Sequence, residues 1–581
     1  MFLRSVICSS ICLSLSCAFP STEKRPLYRR TNSTVTNSTI TNSTSACSGN
    51  SASDRSTWCD YGLSTNYYDE GPTTGVVREY WFELTNSTAS PDGVERTILA
   101  VNGSVPGPTI EANWGDIVRV HLTNHLQHNG TSLHFHGVRQ NWTNSNDGVI
   151  SITQCPTAPG NTVTYEWKAE QYGSSWYHAH YALQAWEGVF GGIIIHGPAT
   201  ANYEVDLGSF FLNDWDHATV CSLWDEMEAS GPPQLDTCLI NGTNVWTEDG
   251  TTVGSRWETD FTSGSSYLLR LVNAAINTHF SFSIDNHTLQ VIANDFVPIV
   301  PYTTDVLSIG MGQRYDVIVT ADKGDVASDF WLRAVPDSFC SDINNTDIKG
   351  IIHYDGSTAT PSTSAHTFDD NDCFGEDLSN LIPYLSLNAG TEAAITDDLN
   401  ATVAYNSDNL YKWYLDDETF LVEWQDPTSL QILNDDTTYT SSQGVIQMPT
   451  PDEWIYLIIE TSVAIPHPIH LHGHDFFVLA QGYGTYAEVN PTLQTTNPPR
   501  RDVAMLPANG YVVLAWPADN PGLWLAHCHI GWHTEEGFAL QFVERYDEIA
   551  ALYNKTDLEA GCQAWNSWQN GYGLVQDDSG I

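Results

Sequence analysis

The chain has 581 residues, of which 22 are basic and 70 acidic, so its formal net charge is −48. This length exceeds one ordinary hydrophobic core and predicts about three or four domains. The large negative charge repels nucleic acid phosphates and anionic membranes, which excludes both as partners.

Residues 1–18 have the pattern of a secretory signal peptide, because Arg4 precedes an apolar run from Val6 to Cys17. Residues 19–46 contain the near-repeat TNSTVTNSTITNST and are interpreted as a propeptide or a glycosylated low-complexity tail. No later stretch is apolar over enough residues to span a bilayer, so the mature protein is expected to be secreted. Acceptors for N-glycosylation agree with this route, at Asn32, Asn37, Asn42, Asn86, Asn102, Asn129, Asn141, Asn241, Asn286, Asn344, Asn400 and Asn554.

Short β-branched segments separated by turn residues recur along the remaining chain and predict an all-β protein built from β-sandwiches. Clear examples are 117–120, 192–195, 315–319 and 511–514. One boundary is expected at Gly197-Pro198 and another in the Ser/Thr/Asp/Pro-rich stretch 355–372. The predicted domains are therefore 47–197, 198–365 and 366–581, the last including a linker.

Histidines are concentrated in four short blocks, which hold eleven of the twenty in the chain. In an extended strand, residues i and i+2 share a face, so a His-x-His pair directs two imidazoles into one space. The first domain contains two such pairs, His134-Phe-His136 and His178-Ala-His180. A site shared with the histidines of the last domain requires the chain to fold back on itself.

The two C-terminal blocks divide their side chains between two faces. His470 and His472 share one face, whereas His467, which precedes Pro468, lies on the other. In His527-Cys528-His529 both imidazoles point to one side and the thiol to the other, so one tripeptide contacts two metal sites.

This set of residues suits copper. Imidazoles with one thiolate fit copper better than calcium or magnesium, which need oxygen ligands, or a structural zinc site of four ligands. A His₂Cys site of His467, Cys528 and His533 exchanges single electrons, and the histidines on the opposite faces form an inner site that stores several. The usual axial methionine is missing, since Phe538 stands ten residues after Cys528, and a raised reduction potential is expected. His474 is left over and is predicted to be structural.

The motifs HFHG, WYHAH, HPIHLHGHDF and HCHIGWHTEEGF resemble the four copper signatures of multicopper oxidases, most of all those of ascomycete fungal laccases. The likeness extends to VNGSVPGPTI at 101–110, NDGV at 146–149, TQCP at 153–156 and NPPRRDVAMLP at 497–507. It implies three cupredoxin-like β-sandwich (Greek-key) domains, four copper ions per chain, and a monomer that uses dioxygen and small phenolic or aromatic donors.

The resemblance also implies which residues bind each copper. The implied ligands are His467, Cys528 and His533 for the type 1 copper, His134 and His470 for the type 2 copper, His136, His178 and His529 for one type 3 copper, and His180, His472 and His527 for its partner.

Four further positions take roles from the same resemblance. Phe538 stands at the axial position of the type 1 copper, and Asp147 is similar to the acid that relays protons to the reduced oxygen. The terminal residues Asp578–Ile581 look like the plug that directs a carboxylate toward the trinuclear site. Asn277 occupies the place of a carboxylate that accepts the phenol proton in related laccases, so weaker deprotonation of phenols is expected here.

Cysteine number agrees with an oxidising compartment. Beyond the signal peptide and Cys528, eight cysteines remain, which predicts disulfides with on the order of a hundred possible pairings. The resemblance implies Cys47–Cys59, Cys155–Cys562 and Cys340–Cys373, and Cys221–Cys238 is predicted as the fourth pair.

The sequence thus predicts a secreted laccase-type oxidase. A donor gives up one electron near His467, Cys528 passes it to His527 and His529, and four such transfers reduce dioxygen to two waters. One alternative is another multicopper oxidase that acts on ascorbate or iron. A second is a copper-binding electron carrier without oxygen chemistry, which would need only the type 1 site and leaves eight histidines unexplained.

Overall fold

The computed structural model describes residues 49–368, 372–390, 393 and 395–581. Its strands form three sandwiches in chain order, each made of two sheets, so the predicted all-β, cupredoxin-like architecture is confirmed. The predicted signal peptide and the segment 19–46 lie outside the described residues. Within those residues, the structure contains no helix with the length and apolar character needed to cross a membrane.

The first sandwich follows a small hairpin. The strands are Thr57–Trp58 (β1), Tyr61–Gly62 (β2), Val77–Ala89 (β3), Arg96–Val101 (β4), Gly107–Asn113 (β5), Ile117–Asn124 (β6), His134–Phe135 (β7), Thr162–Lys168 (β8), Gly173–His178 (β9) and Phe190–His196 (β10). One sheet has the order β4-β3-β6-β8 and the other β5-β10-β9-β7. In β6, buried Val118, Val120 and Leu122 alternate with partly exposed residues, so one face of this sheet packs on the core.

The second sandwich contains none of the four histidine blocks. Its strands are Val205–Trp215 (β11), Thr237–Ile240 (β12), Val245–Glu248 (β13), Thr251–Gly254 (β14), Glu258–Phe261 (β15), Ser266–Asn273 (β16), Phe280–Ile284 (β17), Leu289–Asn294 (β18), Val297–Thr304 (β19), Leu307–Ile309 (β20), Arg314–Thr320 (β21), Asp329–Pro336 (β22) and Lys349–Tyr354 (β23). The sheets have the orders β12-β11-β16-β21-β18-β19 and β15-β23-β22-β17-β20, and β13 pairs with β14.

The third sandwich contains both C-terminal histidine blocks. Its strands are Ile395–Tyr405 (β24), Tyr411–Leu415 (β25), Val445–Met448 (β26), Trp454–Thr461 (β27), His467–Leu471 (β28), Phe476–Tyr483 (β29), Arg500–Arg501 (β30), Val503–Leu506 (β31), Gly510–Pro517 (β32), Gly522–Cys528 (β33) and Ala539–Glu544 (β34). The sheets have the orders β25-β24-β27-β32-β29-β30 and β26-β34-β33-β28-β31. Because β28 and β33 are neighbours, the two blocks lie side by side, with His470 opposite His527 and Ile469 opposite Cys528.

Helices and 3₁₀ turns lie between these strands and after the last of them. The α-helices are Val220–Ser230 (α1), Thr428–Leu433 (α2), Tyr486–Val489 (α3), Gly531–Glu535 (α4), Tyr546–Ile549 (α5) and Lys555–Tyr572 (α6), and the 3₁₀ turns are Asn144–Asn146, Ala182–Glu187, Leu378–Asn380, Ser441–Gln443 and Ala550–Leu552. The helix α4 follows β33 directly and contains His533. A disulfide between Cys155 and Cys562 ties α6 to the first sandwich.

The four segments predicted as strands all lie within strands, in β6, β10, β21 and β32. Two of the four predicted disulfides are present, Cys155–Cys562 and Cys340–Cys373. The predicted Cys221–Cys238 disulfide is wrong: Cys238 is a buried thiol on β12, and burial raises its pKa, whereas Cys221 is exposed on α1. The Cys47 pairing lies outside the described residues.

Candidate metal centre

One thiol and two imidazoles meet inside the third sandwich. The Cys528 Sγ atom lies 3.8 Å from His467 Nδ1 and 3.7 Å from His533 Nδ1. The three side chains come from β33, β28 and α4 and are all buried. Burial lowers the pKa of His467 to about 3 and lowers that of His533, so both rings are neutral and have a lone pair available for a metal.

Aromatic rings enclose this trio. The Phe538 ring lies 5.3 Å from the His467 ring and offers no ligand atom. Trp413, on β25, lies 4.7 Å from His467 and 4.5 Å from His533, and it stacks on Phe538 at 5.0 Å. Sequence reasoning missed Trp413, because a single tryptophan on a distant strand shows no link to the histidine blocks.

Eight further histidines form a second cluster between the first and third sandwiches. Its members are His134, His136, His178, His180, His470, His472, His527 and His529. The rings of His134 and His472 stack with centroids 3.9 Å apart, and those of His136 and His470 do the same. The chain therefore folds back as the shared site requires.

Smaller groups within this cluster have metal-binding geometry. The ligand atoms lie within 4.8 Å of one another in the groups His134/His136/His178, His134/His470/His472 and His180/His472/His527. The ring of His529 lies 5.0 Å from that of His136 and 5.7 Å from that of His178. Every residue that the sequence assigned to the inner site is thus present in this cluster.

Outward hydrogen bonds determine which ring nitrogen points into the cluster. The Nδ1 atoms of His134, His470 and His178 donate to the carbonyl oxygens of Asp147, Asp502 and Ala179 at 2.9, 2.7 and 3.0 Å. Because a carbonyl only accepts, these Nδ1 atoms carry the proton and the Nε2 atoms carry lone pairs. Those Nε2 atoms have no hydrogen-bond partner in the described part of the chain.

In His136 the outward hydrogen bond is made by Nε2 instead of Nδ1. Its Nε2 donates to the Asp502 carboxylate at 3.2 Å, which leaves Nδ1 as the nitrogen with a lone pair. The Asp502 carboxylate is also paired with the Arg314 guanidinium, with a distance of 2.6 Å between Nη2 and Oδ2. Burial raises the pKa of Asp502, and Arg314 opposes that rise. Asp502 belongs to the motif NPPRRDVAMLP, and the sequence alone predicted no role for it.

Two lone pairs face each other across the cluster. His472 Nδ1 donates to Asp147 Oδ2 at 2.8 Å, and His527 Nδ1 donates to the Cys528 carbonyl at 2.9 Å. Their Nε2 atoms lie 3.4 Å apart with no proton left to bridge them. A shared cation relieves this repulsion, so the donor set fits the metal that the sequence predicts.

Seven of the eight rings in this cluster are neutral before any metal binds. Burial lowers the pKa of His527 to about 4 and places those of His136, His178, His180, His470, His472 and His529 well below the usual value. Neutral imidazoles are the form that binds transition metals.

His474 belongs to neither group. Its Nδ1 donates to the carbonyl of His472 at 3.1 Å, and its Nε2 lies 3.2 Å from the buried Glu544 carboxylate. Burial alone would lower the pKa of His474, but Glu544 raises it above the usual value. The ring therefore supports the backbone beside His472, in agreement with the structural role predicted for it.

Asn277 lies in the loop after β16, which contacts the start of α4. The carbonyl of its neighbour Ile276 accepts from the Gly531 amide at 3.1 Å, at the start of α4 and two residues before His533. The backbone amide of Asn277 donates a hydrogen bond to Asp214 Oδ2 at 2.9 Å. Burial raises the pKa of Asp214. A carboxylate that sequence reasoning missed thus holds this loop through its backbone.

The C-terminal residues are packed into the molecule. The Ala182 amide donates to the Ile581 carbonyl at 3.0 Å, and the Ser579 amide donates to the Glu535 carbonyl at the same distance. Ser151 also donates to the Gly580 carbonyl. The tail therefore runs between residues that closely follow His180 and His533 in the sequence.

Comparisons with known proteins agree with this geometry. The multicopper oxidase family matches the chain over residues 83–200, 208–357 and 421–548. Laccase-2 of Botryotinia fuckeliana is 45% identical over 92% of this chain and 93% of the relative, and a laccase of Cryphonectria parasitica is 38% identical over 92% and 94%. The crystal structure of a laccase from Botrytis aclada has a TM-score of 0.87 and 45% identity, and it covers 92% of this chain and all of the relative.

Proposed function

The chain belongs to the multicopper oxidase family as a laccase-type member, and we propose that it oxidises phenolic and related aromatic donors one electron at a time while reducing dioxygen to water. One observation carries this proposal. Within one tripeptide, the Cys528 thiol enters the trio while His527 and His529 enter the eight-histidine cluster. The two sites are thereby joined by a few covalent bonds of backbone.

We assign one copper to the trio and three to the cluster. His467, Cys528 and His533 hold the type 1 ion, as a His₂Cys site does in electron-transfer proteins. The cluster ligands are divided as His134 and His470 for the type 2 ion, His136, His178 and His529 for one type 3 ion, and His180, His472 and His527 for the other. The buried, unpartnered ring nitrogens and the facing lone pairs support this assignment.

When bound, copper supplies the one-electron chemistry and the binding of dioxygen. The protein holds the ligands in fixed positions and controls their surroundings. Asp147 and Asp502 orient rings of the cluster through hydrogen bonds, and such outer contacts typically change metal affinity or activity by about 10–100-fold when lost. Asp147 also lies close enough to pass protons toward the cluster.

The donor is expected to approach the His533 side of the trio. Both histidine rings are buried, but the helix α4 that contains His533 contacts the Asn277 loop through the hydrogen bond from the Gly531 amide to the Ile276 carbonyl. This differs from the expectation that the donor meets His467. Asn277 cannot accept a phenol proton as a carboxylate does, so solvent takes that proton.

Three further expectations complete the proposal. The disulfides on the described chain are typical of export through an oxidising compartment, which supports secretion. We propose that the protein acts as a glycosylated monomer on small aromatic molecules and dioxygen. The buried tail Asp578–Ile581 is proposed to close the approach to the cluster.

Copper content and the visible spectrum of the purified protein test the proposal. About four coppers per chain, an intense blue thiolate band and a near-ultraviolet shoulder are expected. Oxygen uptake is then measured with a phenol, Fe(II) and ascorbate in parallel. Uptake with the phenol supports a laccase, uptake confined to Fe(II) or ascorbate makes the protein another oxidase of the family, and one copper without uptake leaves an electron carrier.

A further inference from the structure

A line of aromatic rings begins beside the histidine cluster and continues away from the trio. Tyr181 follows His180 directly in the sequence, and its ring stacks on Trp424 with centroids 5.3 Å apart. Trp424 and Tyr181 in turn lie 5.8 and 6.1 Å from Trp565. These three rings belong to a buried apolar cluster that also contains the Cys155–Cys562 disulfide.

The line reaches the surface along one face of α6. Trp565, Trp568 and Tyr572 are three and four residues apart, so a helix brings their side chains together. The Trp565 and Trp568 rings stack at 5.1 Å, and so do those of Trp568 and Tyr572. Trp565 is fully buried, whereas Tyr572 is 48% exposed.

Each step of this line falls within the 4.5–7 Å range of aromatic rings in contact. Tryptophan and tyrosine are the aromatic side chains that lose one electron most readily, and electron tunnelling between them is fast only over short gaps. Two indoles of the line, Trp424 and Trp565, have Nε1 atoms without a hydrogen-bond partner among the described residues. An indole carries a one-electron hole without first losing its proton, so these buried members need no base.

We propose that Trp424, Trp565, Trp568 and Tyr572 conduct single electrons from the protein surface toward the histidine cluster, independently of Cys528. The inference rests on the proposed oxidase function, which supplies the oxidant as dioxygen reduced at the cluster. The line of aromatic rings delivers the electrons that the cluster still needs for the reduction of dioxygen when too few arrive through the trio. Tyr572 thereby becomes a second surface position at which a phenol is oxidised.

The electrons and protons balance over the line. Trp424 gives one electron toward the cluster, Trp565 refills Trp424, Trp568 refills Trp565, and Tyr572 refills Trp568. The exposed Tyr572 releases its phenolic proton to water and becomes a neutral radical. A phenol in solution then gives Tyr572 one hydrogen atom, so the sum is one phenol oxidised to a phenoxyl radical, one electron delivered to the cluster and one proton released.

The test traps this radical. Copper-loaded enzyme is mixed with dioxygen, a nitroso spin trap and less phenol than full reduction of dioxygen needs, and the trapped adduct is located by peptide mass spectrometry. The adduct is expected on Tyr572. In Trp568→Phe it is expected to disappear although Tyr572 is still present, and in Trp568→Tyr, which restores an oxidisable ring, it is expected to return.

Tyr483→Phe is the matched control. Tyr483 is 54% exposed, and its ring neighbour is Phe374 rather than a tryptophan. Labelling of Tyr572 is expected to be unchanged in this variant, and copper-free wild-type protein is expected to give no adduct. Equal labelling of Tyr483 and Tyr572, labelling that persists in Trp568→Phe, or labelling without copper each overturns the proposal.

Oxygen uptake with saturating phenol is measured on the same samples. Phenol then reaches the trio in excess, and Tyr483→Phe, which lies outside the aromatic line, is expected to match wild type. Uptake without an adduct on Tyr572 overturns the aromatic line and leaves the oxidase function intact. Copper-loaded protein without uptake overturns both.

Discussion

The trio and the eight-histidine cluster differ in the groups that surround their imidazoles. The trio lies within one sandwich and is surrounded by apolar rings, with Trp413 and Phe538 against its imidazoles. The cluster lies between two sandwiches, and carboxylates or backbone carbonyls accept hydrogen bonds from four of its rings, those of His134, His136, His470 and His472. Packing therefore controls the first site and hydrogen bonding the second, so they are expected to respond to different substitutions.

The largest effect is expected from Cys528→Ser, which removes the thiolate of the trio. The blue band and the phenol turnover that passes through the trio are expected to be lost, together with about one copper per chain, because a hydroxyl is a poor ligand for this soft site. Copper analysis and the visible spectrum measure the change. The cluster is expected to keep its copper.

Cys238→Ser is the control for that experiment, since Cys238 is also a buried thiol but lies in the second sandwich. Its copper content and spectrum are expected to match wild type. A Cys528→Ser protein that oxidised phenol at the wild-type rate would contradict the proposed entry of electrons through the trio.

The next largest effect is expected in the cluster, from Asp502→Asn. This change takes the closer of two carboxylates away from the buried Arg314, which keeps Asp295 at 3.4 Å, so the loss of folding free energy is expected to stay below the about 3–5 kcal/mol of a fully broken buried pair. It also weakens the contact that orients His136, so copper affinity is expected to fall by about 10–100-fold. Denaturant unfolding and a copper competition titration measure the two changes.

Asp285→Asn separates stability from copper binding. Asp285 pairs with Arg333 at 2.7 Å in the second sandwich, far in the sequence from every histidine block. This variant is expected to lose stability while its copper affinity stays at the wild-type value. Equal losses of copper affinity in both variants would mean that Asp502 acts only through the fold.

A smaller effect, confined to the trio, is expected from Phe538→Met. A thioether in place of the ring adds a weak ligand that stabilises Cu(II). The reduction potential falls by about 59 mV for each ~1.4 kcal/mol by which Cu(II) is stabilised relative to Cu(I). A fall of about that size is expected by spectroelectrochemistry. Phe538→Leu adds no ligand atom and is expected to keep the potential, so an equal fall in both variants would assign the effect to packing.

The smallest effect is expected at the donor edge, from Asn277→Asp. An aspartate with a pKa near 3.9 is ionised at neutral pH and can accept the phenol proton. As pH rises through that pKa, the aspartate ionises and becomes a base. At neutral pH, kcat/KM for phenols is therefore expected to exceed that of wild type by about tenfold or less, which is below the about 10²-fold contribution of a well-placed base. Ferrocyanide, which gives no proton, is expected to show an unchanged pH profile, as is Asn277→Ser with either donor.

Local patterns in the sequence were sufficient for the sandwich architecture and for the division of the histidines. Alternation along a strand separates Cys528 from His527 and His529, and the same rule separates His467 from His470. The disulfide Cys221–Cys238 was predicted wrongly because pairing depends on which strand ends and helices meet. No local rule reports that Cys221 is exposed on α1 while Cys238 is buried on β12.

The sequence by itself determined the fold class, and it predicted the kind of metal and the residues that face each site, because strand periodicity and ligand chemistry act over a few neighbouring positions. Only the tertiary structure decided the surroundings of those residues. Trp413 against the trio, Asp502 behind His136, Asp214 beneath the Asn277 loop and the aromatic line along α6 all join positions far apart in the chain. Such contacts depend on how the strands pack against one another, and this packing cannot be predicted from any short stretch of the sequence.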